Sequence, residues 1–107
     1  MNPIKAAAIQ FNHRPGDKVY NLGRVEALSR EAAAQGVDLA VFPEMCVTGY
    51  WHVRNLSDNE CRELAEPITG GETTNALLAL ARELEMTIGA GLIEEADDGK
   101  LYNSYVV

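Results

Sequence analysis

Basic residues are scarce in this chain: nine lysines and arginines stand against sixteen aspartates and glutamates, a net charge of −7. That balance disfavours nucleic acid and anionic membrane as partners, and no basic run interleaved with aromatics offsets it. Cysteine is scarce too, and Cys46 and Cys61 do not make a disulfide framework. No apolar stretch approaches the length of a membrane span. The stretch up to Phe11 holds one lysine and a short apolar run, and it lacks the long hydrophobic region and cleavage site of a secretory signal. The expectation is a soluble, reduced, cytoplasmic protein. Internal repeats, low-complexity tracts and interdomain linkers are also missing. With 107 residues, the chain suits one domain, 1–107. A hydrophobic fraction of 47% argues against disorder.

Metal and phosphate chemistry find little support. His13 and His52 have no ligand spacing with each other or with either cysteine, and read as loop or surface residues. Glu94, Glu95, Asp97 and Asp98 read as a solvated hairpin end, because the EF-hand spacing is absent. Gly70-Gly71 is not followed by Gly-Lys-Ser/Thr, so it is no phosphate loop.

What is present is an α/β rhythm. Ile4 to Phe11 reads as a nearly continuous apolar strand, buried on both faces. Pro15 and Gly16 mark a loop. A helix follows from about Val19 to Gln35, with Leu22, Val25, Leu28 and Ala32 on one face and Gly36 as its stop. Asp38 to Phe42 is a second strand, so the unit is parallel. Met45 to Leu56 reads as a long loop. Ser57 and Glu60 form a capping box for a short helix that stops before Pro67, with Cys61, Leu64 and Ala65 inward. Gly70 and Gly71 mark a break before a helix from about Thr73 to Glu85, burying Leu77, Leu80, Ala81 and Leu84. Met86 to Ile93 is a third strand, with Gly89 and Gly91 pointing to close packing or a bulge. A turn at 97–100 leads into a fourth strand, Leu101 to Val107, and the last two strands form a hairpin. The sequence closes on Tyr105-Val106-Val107, inside an apolar strand pattern, where an end is more often polar. A bare strand edge there invites pairing. The expectation is a piece of a longer protein, or a domain that associates.

The stretch from Leu39 to Tyr50 is the most informative. An apolar run ends at Pro43 and a carboxylate, Glu44, follows at once. Strand ends beside a sheet are usual places for a cleft. Burial in such a place moves a carboxyl group toward the range a general base needs. Taken alone, a glutamate after proline at a strand end is more often a solvated loop residue.

The chain resembles the N-terminal part of a carbon–nitrogen hydrolase of the nitrilase superfamily. The matching residues are Ala8-Ile9-Gln10, Asn21, Phe42-Pro43-Glu44, Thr48-Gly49-Tyr50, Gly70, Gly91-Leu92-Ile93-Glu94 and Tyr102-Asn103. They fall in the family's order and cover almost the whole chain. The resemblance implies an α-β-β-α sandwich, truncated here, and a Glu–Lys–Cys triad acting on nitriles, amides or carbamoyl groups. A thiolate attacks the carbon of the C–N bond. The glutamate is general base to the thiol and then to water, and the lysine stabilises the developing charge. Glu44 matches the triad glutamate. The family's lysine and cysteine lie downstream of the Tyr-Asn strand, so neither position exists in this chain, and the chain alone is expected to be inactive. Lys5, Lys18 and Lys100, the lysines present, match no triad context, nor does either cysteine.

By the same resemblance, Tyr50 and Trp51 line a substrate pocket, although anchoring the loop to the core is an equal alternative. A small-molecule substrate, self-association into homo-oligomers, and no cofactor are implied. Two further functions stay open. One is a non-catalytic association domain. The other is a small cysteine enzyme using Cys46 with Glu44 or His52, its thiol activated by a basic neighbour. The plainer reading of Cys46 is a small buried hydrophobe, and that of Cys61 a core residue.

Overall fold

The computed structural model describes residues 2–107. Its elements are β1 (Ala6–Ala8), α1 (Lys18–Ala34), β2 (Leu39–Val41), α2 (Tyr50–Val53), α3 (Asp58–Leu64), α4 (Glu72–Leu84), β3 (Thr87–Glu95) and β4 (Leu101–Val106). One four-stranded sheet runs in the order β1-β2-β3-β4. The first three strands are parallel and β4 returns antiparallel to β3. This is a mixed α/β sheet with one helix layer, half of the expected sandwich.

The core lies between that sheet and the long helices. Ala40 and Phe42 of the β2 region join Ile88, Ala90 and Leu92 of β3 on one face, against Val25 and Ala32 of α1 and Leu77 and Leu80 of α4. Alternation along the strands and helical spacing along α1 and α4 bring these residues together. Asp17 caps α1 by accepting from the Tyr20 amide, and Gly36 follows the helix with φ +77. The capping box at α3 is present as the sequence spelled it, with Ser57 and Glu60 bonded reciprocally.

β3 is longer than its parallel neighbour, and its edge is satisfied in three stages. Phe42 N–H donates to the Gly89 carbonyl where β2 ends. Val47 N–H, in the turn after β2, donates to Gly91, and Glu66 N–H donates to Ile93. Backbone groups that would otherwise be buried and unpaired are thereby met in sequence. The turn carrying Glu44 is held to the sheet by this stitching.

Four expectations need correction. β1 is only Ala6–Ala8, and Ala6 and Ala8 are exposed, so it is not buried on both faces. It is the edge strand, and the described residues place no layer over its outer face. The stretch after Met45 is not all loop: α2 forms one turn at 50–53, too short to show a helical period. Cys61, Leu64 and Ala65 are half-buried rather than core. Helix α3 packs over the end of β3, where Arg62 donates to the Gly99 carbonyl at 2.7 Å, instead of entering the main core. Glu44 is exposed, so the burial anticipated for its carboxyl group is not supplied by this chain.

Candidate active site

Two glycines set the floor of the site. Gly89 and Gly91 point away from the helix layer, where any side chain would collide with something already there. A Cβ on Gly91 would lie 2.2 Å from the Met45 nitrogen, and one on Gly89 would lie 2.7 Å from the Tyr105 ring. The turn after β2 therefore rests directly on the β3 backbone. Within it, Gly49 N–H donates to the Met45 carbonyl at 2.7 Å, and Met45 takes a left-handed φ of 55. Left-handed backbone is uncommon away from glycine and needs its surroundings to hold it.

Asn21 holds the turn from the other side. It is fully buried in α1, and its Nδ2 donates to the carbonyls of Val47 at 2.8 Å and Arg14 at 2.9 Å. Its Oδ1 accepts from Arg14 N–H at 2.8 Å. One side chain thus ties the loop after β1 to the turn after β2. Gly16 N–H adds a bond to the Thr48 carbonyl at 2.9 Å. The two loops interleave further, with the His13 ring against Gly49 and the His52 ring against Gly16. Both histidines act here as packing.

The strand end itself is gripped by β4. Tyr105 donates its hydroxyl to the Phe42 carbonyl at 2.7 Å, and Asn103 Nδ2 donates to Glu44 Oε1 at 2.6 Å. Glu44 is thus presented at the end of β2 with one carboxylate oxygen held, an arrangement suited to proton transfer.

The other sequence candidates fall apart from this pair. Tyr50 and Trp51 sit on α2, 48% and 65% exposed, so neither anchors the loop to the core. Their rings meet edge to face at 5.6 Å, and the Arg54 guanidinium stacks over Trp51 at 4.8 Å. Cys46 is buried with its Sγ toward the Gly91 carbonyl, and burial pushes its thiol above the ordinary range. A buried thiol held protonated is a poor nucleophile. No His, Cys, Asp or Glu cluster among the described residues could hold a metal ion. No described helix is long and apolar enough to cross a membrane.

A buried carboxylate escaped sequence reasoning. Glu66 is 8% exposed and accepts from Thr73 N–H at 2.8 Å, from the Thr73 hydroxyl, and from Lys18 Nζ at 3.1 Å. Burial pushes its carboxyl upward, but the Thr73 and Lys18 hydrogen bonds outweigh this and hold it below its ordinary range. It caps the start of α4 and anchors the segment that completes the β3 edge. The only signal for it was a glutamate before Pro67 with a threonine seven places on, which is no recognised pattern.

Known proteins resemble this chain in sequence and fold. The family model described as carbon-nitrogen hydrolase matches residues 5–107. A nitrilase from Pyrococcus abyssi is 39% identical over 104 residues, which cover 97% of this chain and 38% of that protein. An omega-amidase from Danio rerio is 36% identical over 104 residues, 97% of this chain and 35% of that protein. Among solved structures, an N-terminal amidase superposes with a TM-score of 0.79 at 22% identity, covering 95% of this chain and 24% of that one, a likeness of fold. A glutamine-dependent NAD+ synthetase from Acinetobacter baumannii gives a TM-score of 0.75 at 25% identity over all of this chain and 19% of that one. The chain spans well under half the length of each of these proteins.

Proposed function

Given that the chain belongs to the carbon–nitrogen hydrolase family, we propose that residues 1–107 are the N-terminal portion of an enzyme that hydrolyses amide, nitrile or carbamoyl C–N bonds, with Glu44 as its general base. The observation that carries this reading is the presentation of Glu44 at the end of β2, one oxygen held by Asn103 and the other without a partner among the described residues. The nitrilase and omega-amidase relatives point to the same chemistry.

In this reading the nucleophilic thiol and the lysine come from sequence downstream of Val107. Glu44 takes the thiol proton as sulfur bonds to the substrate carbon. For an amide, the proton passes to the departing nitrogen, ammonia leaves and a thioester remains. Glu44 then removes a proton from water, which adds to the thioester, and the carboxylic acid leaves with the thiol restored. The lysine ammonium stabilises the oxyanion in both tetrahedral states. Cys46 is not assigned the nucleophile's part, because it is buried in the core and burial raises its thiol. Tyr50 and Trp51, exposed on α2, are proposed as substrate-binding residues. A cytoplasmic location is proposed from the composition, and the resemblance carries a homo-oligomer and no metal or cofactor.

The test joins this segment to its natural continuation and follows ammonia release from butyramide and butyronitrile. Glu44→Gln is expected to abolish turnover while the protein stays folded. Turnover retained in Glu44→Gln refutes the role.

A further inference from the structure

We infer that Asn103 is a positioning residue for Glu44: its side-chain amide holds one carboxylate oxygen and leaves the other free to take and return a proton. The inference rests on the proposed role of Glu44 as general base, and deepens it.

The contact is well defined chemically. An ionised carboxylate has no proton to give, so the nitrogen of the Asn103 amide, not its oxygen, must face Glu44. The nitrogen and oxygen are 2.6 Å apart, and a bond to an ionised acceptor is shorter and stronger than one between neutral groups. The two residues are 59 positions apart, so only the sheet brings them together. In the hairpin, Asn103 pairs with Ile93 and Tyr105 with Gly91. The carbonyls of Gly91 and Ile93 are engaged on the opposite edge by Val47 and Glu66. These cross-strand pairs are therefore the closely spaced, non-hydrogen-bonded kind. They carry the Asn103 and Tyr105 side chains onto the face where the turn rests on Gly91.

The result is a grip on both sides of Pro43. Tyr105 holds the backbone before it, through the Phe42 carbonyl, and Asn103 holds the carboxylate after it. Tyr105 sets where the strand end lies, and Asn103 sets where the carboxylate points. Such a device matters because Glu44 is exposed, where packing restrains a side chain less than in a core. A freely rotating glutamate spends little time within reach of a reacting group, and small misplacements of a catalytic group are costly.

Two measurements decide the matter. In the 107-residue chain, nitrogen–proton correlation spectra follow the Asn103 side-chain amide through an acid titration. Its signals are expected to move as Glu44 is protonated and to stay still in Glu44→Gln. Signals indifferent to pH in the unmodified chain overturn the contact. In the enzyme with its natural continuation, Asn103→Leu is expected to lower kcat on butyramide by about tenfold to a hundredfold, with KM changed by less than about twofold. Asn103→His, which keeps an N–H donor, is expected to recover part of the loss. Wild-type kcat in Asn103→Leu, or a raised KM at unchanged kcat, overturns the inference. If Asn103→Leu does not fold, the titration and Asn103→His still decide it. Turnover retained by Glu44→Gln removes the base assignment itself. An inactive Glu44→Gln beside a fully active Asn103→Leu removes only the positioning role.

Discussion

Gly91 and Met45 approach so closely that no side chain fits between them: a Cβ on Gly91 would stand 2.2 Å from the Met45 nitrogen and 3.0 Å from the Glu44 Cα. The obstruction is backbone, which cannot swing aside. Alanine in a strand interior ordinarily gains roughly 0.5–1 kcal/mol over glycine. Here the displaced turn outweighs that gain. Gly91→Ala is expected to destabilise by about 1–3 kcal/mol, as overpacking of a tight site does. Urea denaturation measures it, and a midpoint at or above the unmodified chain's would show that the turn can lift without penalty.

Asn21 supplies the second restraint on that turn. Asn21→Leu keeps the side-chain branching but strands the Val47 carbonyl and the Arg14 amide, while the Arg14 carbonyl keeps the Asp17 N–H. Each buried group left without a partner costs about 1–3 kcal/mol, less where water reaches it. A loss of about 2–4 kcal/mol is expected on that basis. Amide exchange should quicken at Gly16 and Val47 before it quickens in the strands. Uniform quickening would mean that Asn21 stabilises the whole fold and not the loop junction.

Glu66 makes the fold sensitive to acid. Its carboxyl is held below the ordinary value of 4.5 in the folded chain, so the unfolded chain binds the proton more readily. Its contribution is therefore fully present above about 4.5 and is lost as pH falls through the lowered folded value. Glu66→Gln removes this titration. Urea midpoints measured between neutral pH and about pH 3 should converge for the two proteins toward acid, with the unmodified chain ahead at neutrality. Parallel curves would show that Glu66 does not titrate in that window.

The thiols should separate by reactivity. Burial raises the Cys46 thiol, and Cys46 is 4% exposed, whereas Cys61 is half-buried. Iodoacetamide at mildly alkaline pH is expected to modify Cys61 first and Cys46 only on unfolding. Rapid labelling of Cys46 in the folded chain would revive a role for it in chemistry.

Much of the architecture was legible because local signals agreed with the tertiary outcome. The stripe through Val25 and Ala32, the capping box at Ser57 and Glu60, and the turn before β4 each state their structure within a few residues. Where local pattern misled, layer position was the reason. The apolar run around Ala6 and Ala8 reads as a buried strand, yet it lies at the sheet edge. Cys61 lies on an apolar stripe, yet α3 packs at the end of β3 instead of over the core.

The sequence by itself determined the alternation of strands and helices and the family to which they belong, and it singled out Glu44 as a candidate. These depend on periodicity, on caps and on short motifs in a fixed order along the chain, each carried by neighbouring residues. Only the tertiary structure decided what holds Glu44. Asn103 reaches it across 59 positions, and Gly91 makes room for its turn across the sheet. Tertiary structure also paired Glu66 with Lys18 across 48 positions. Contacts of that range are set by strand register and by the absence of a side chain, and neither leaves a local pattern to read.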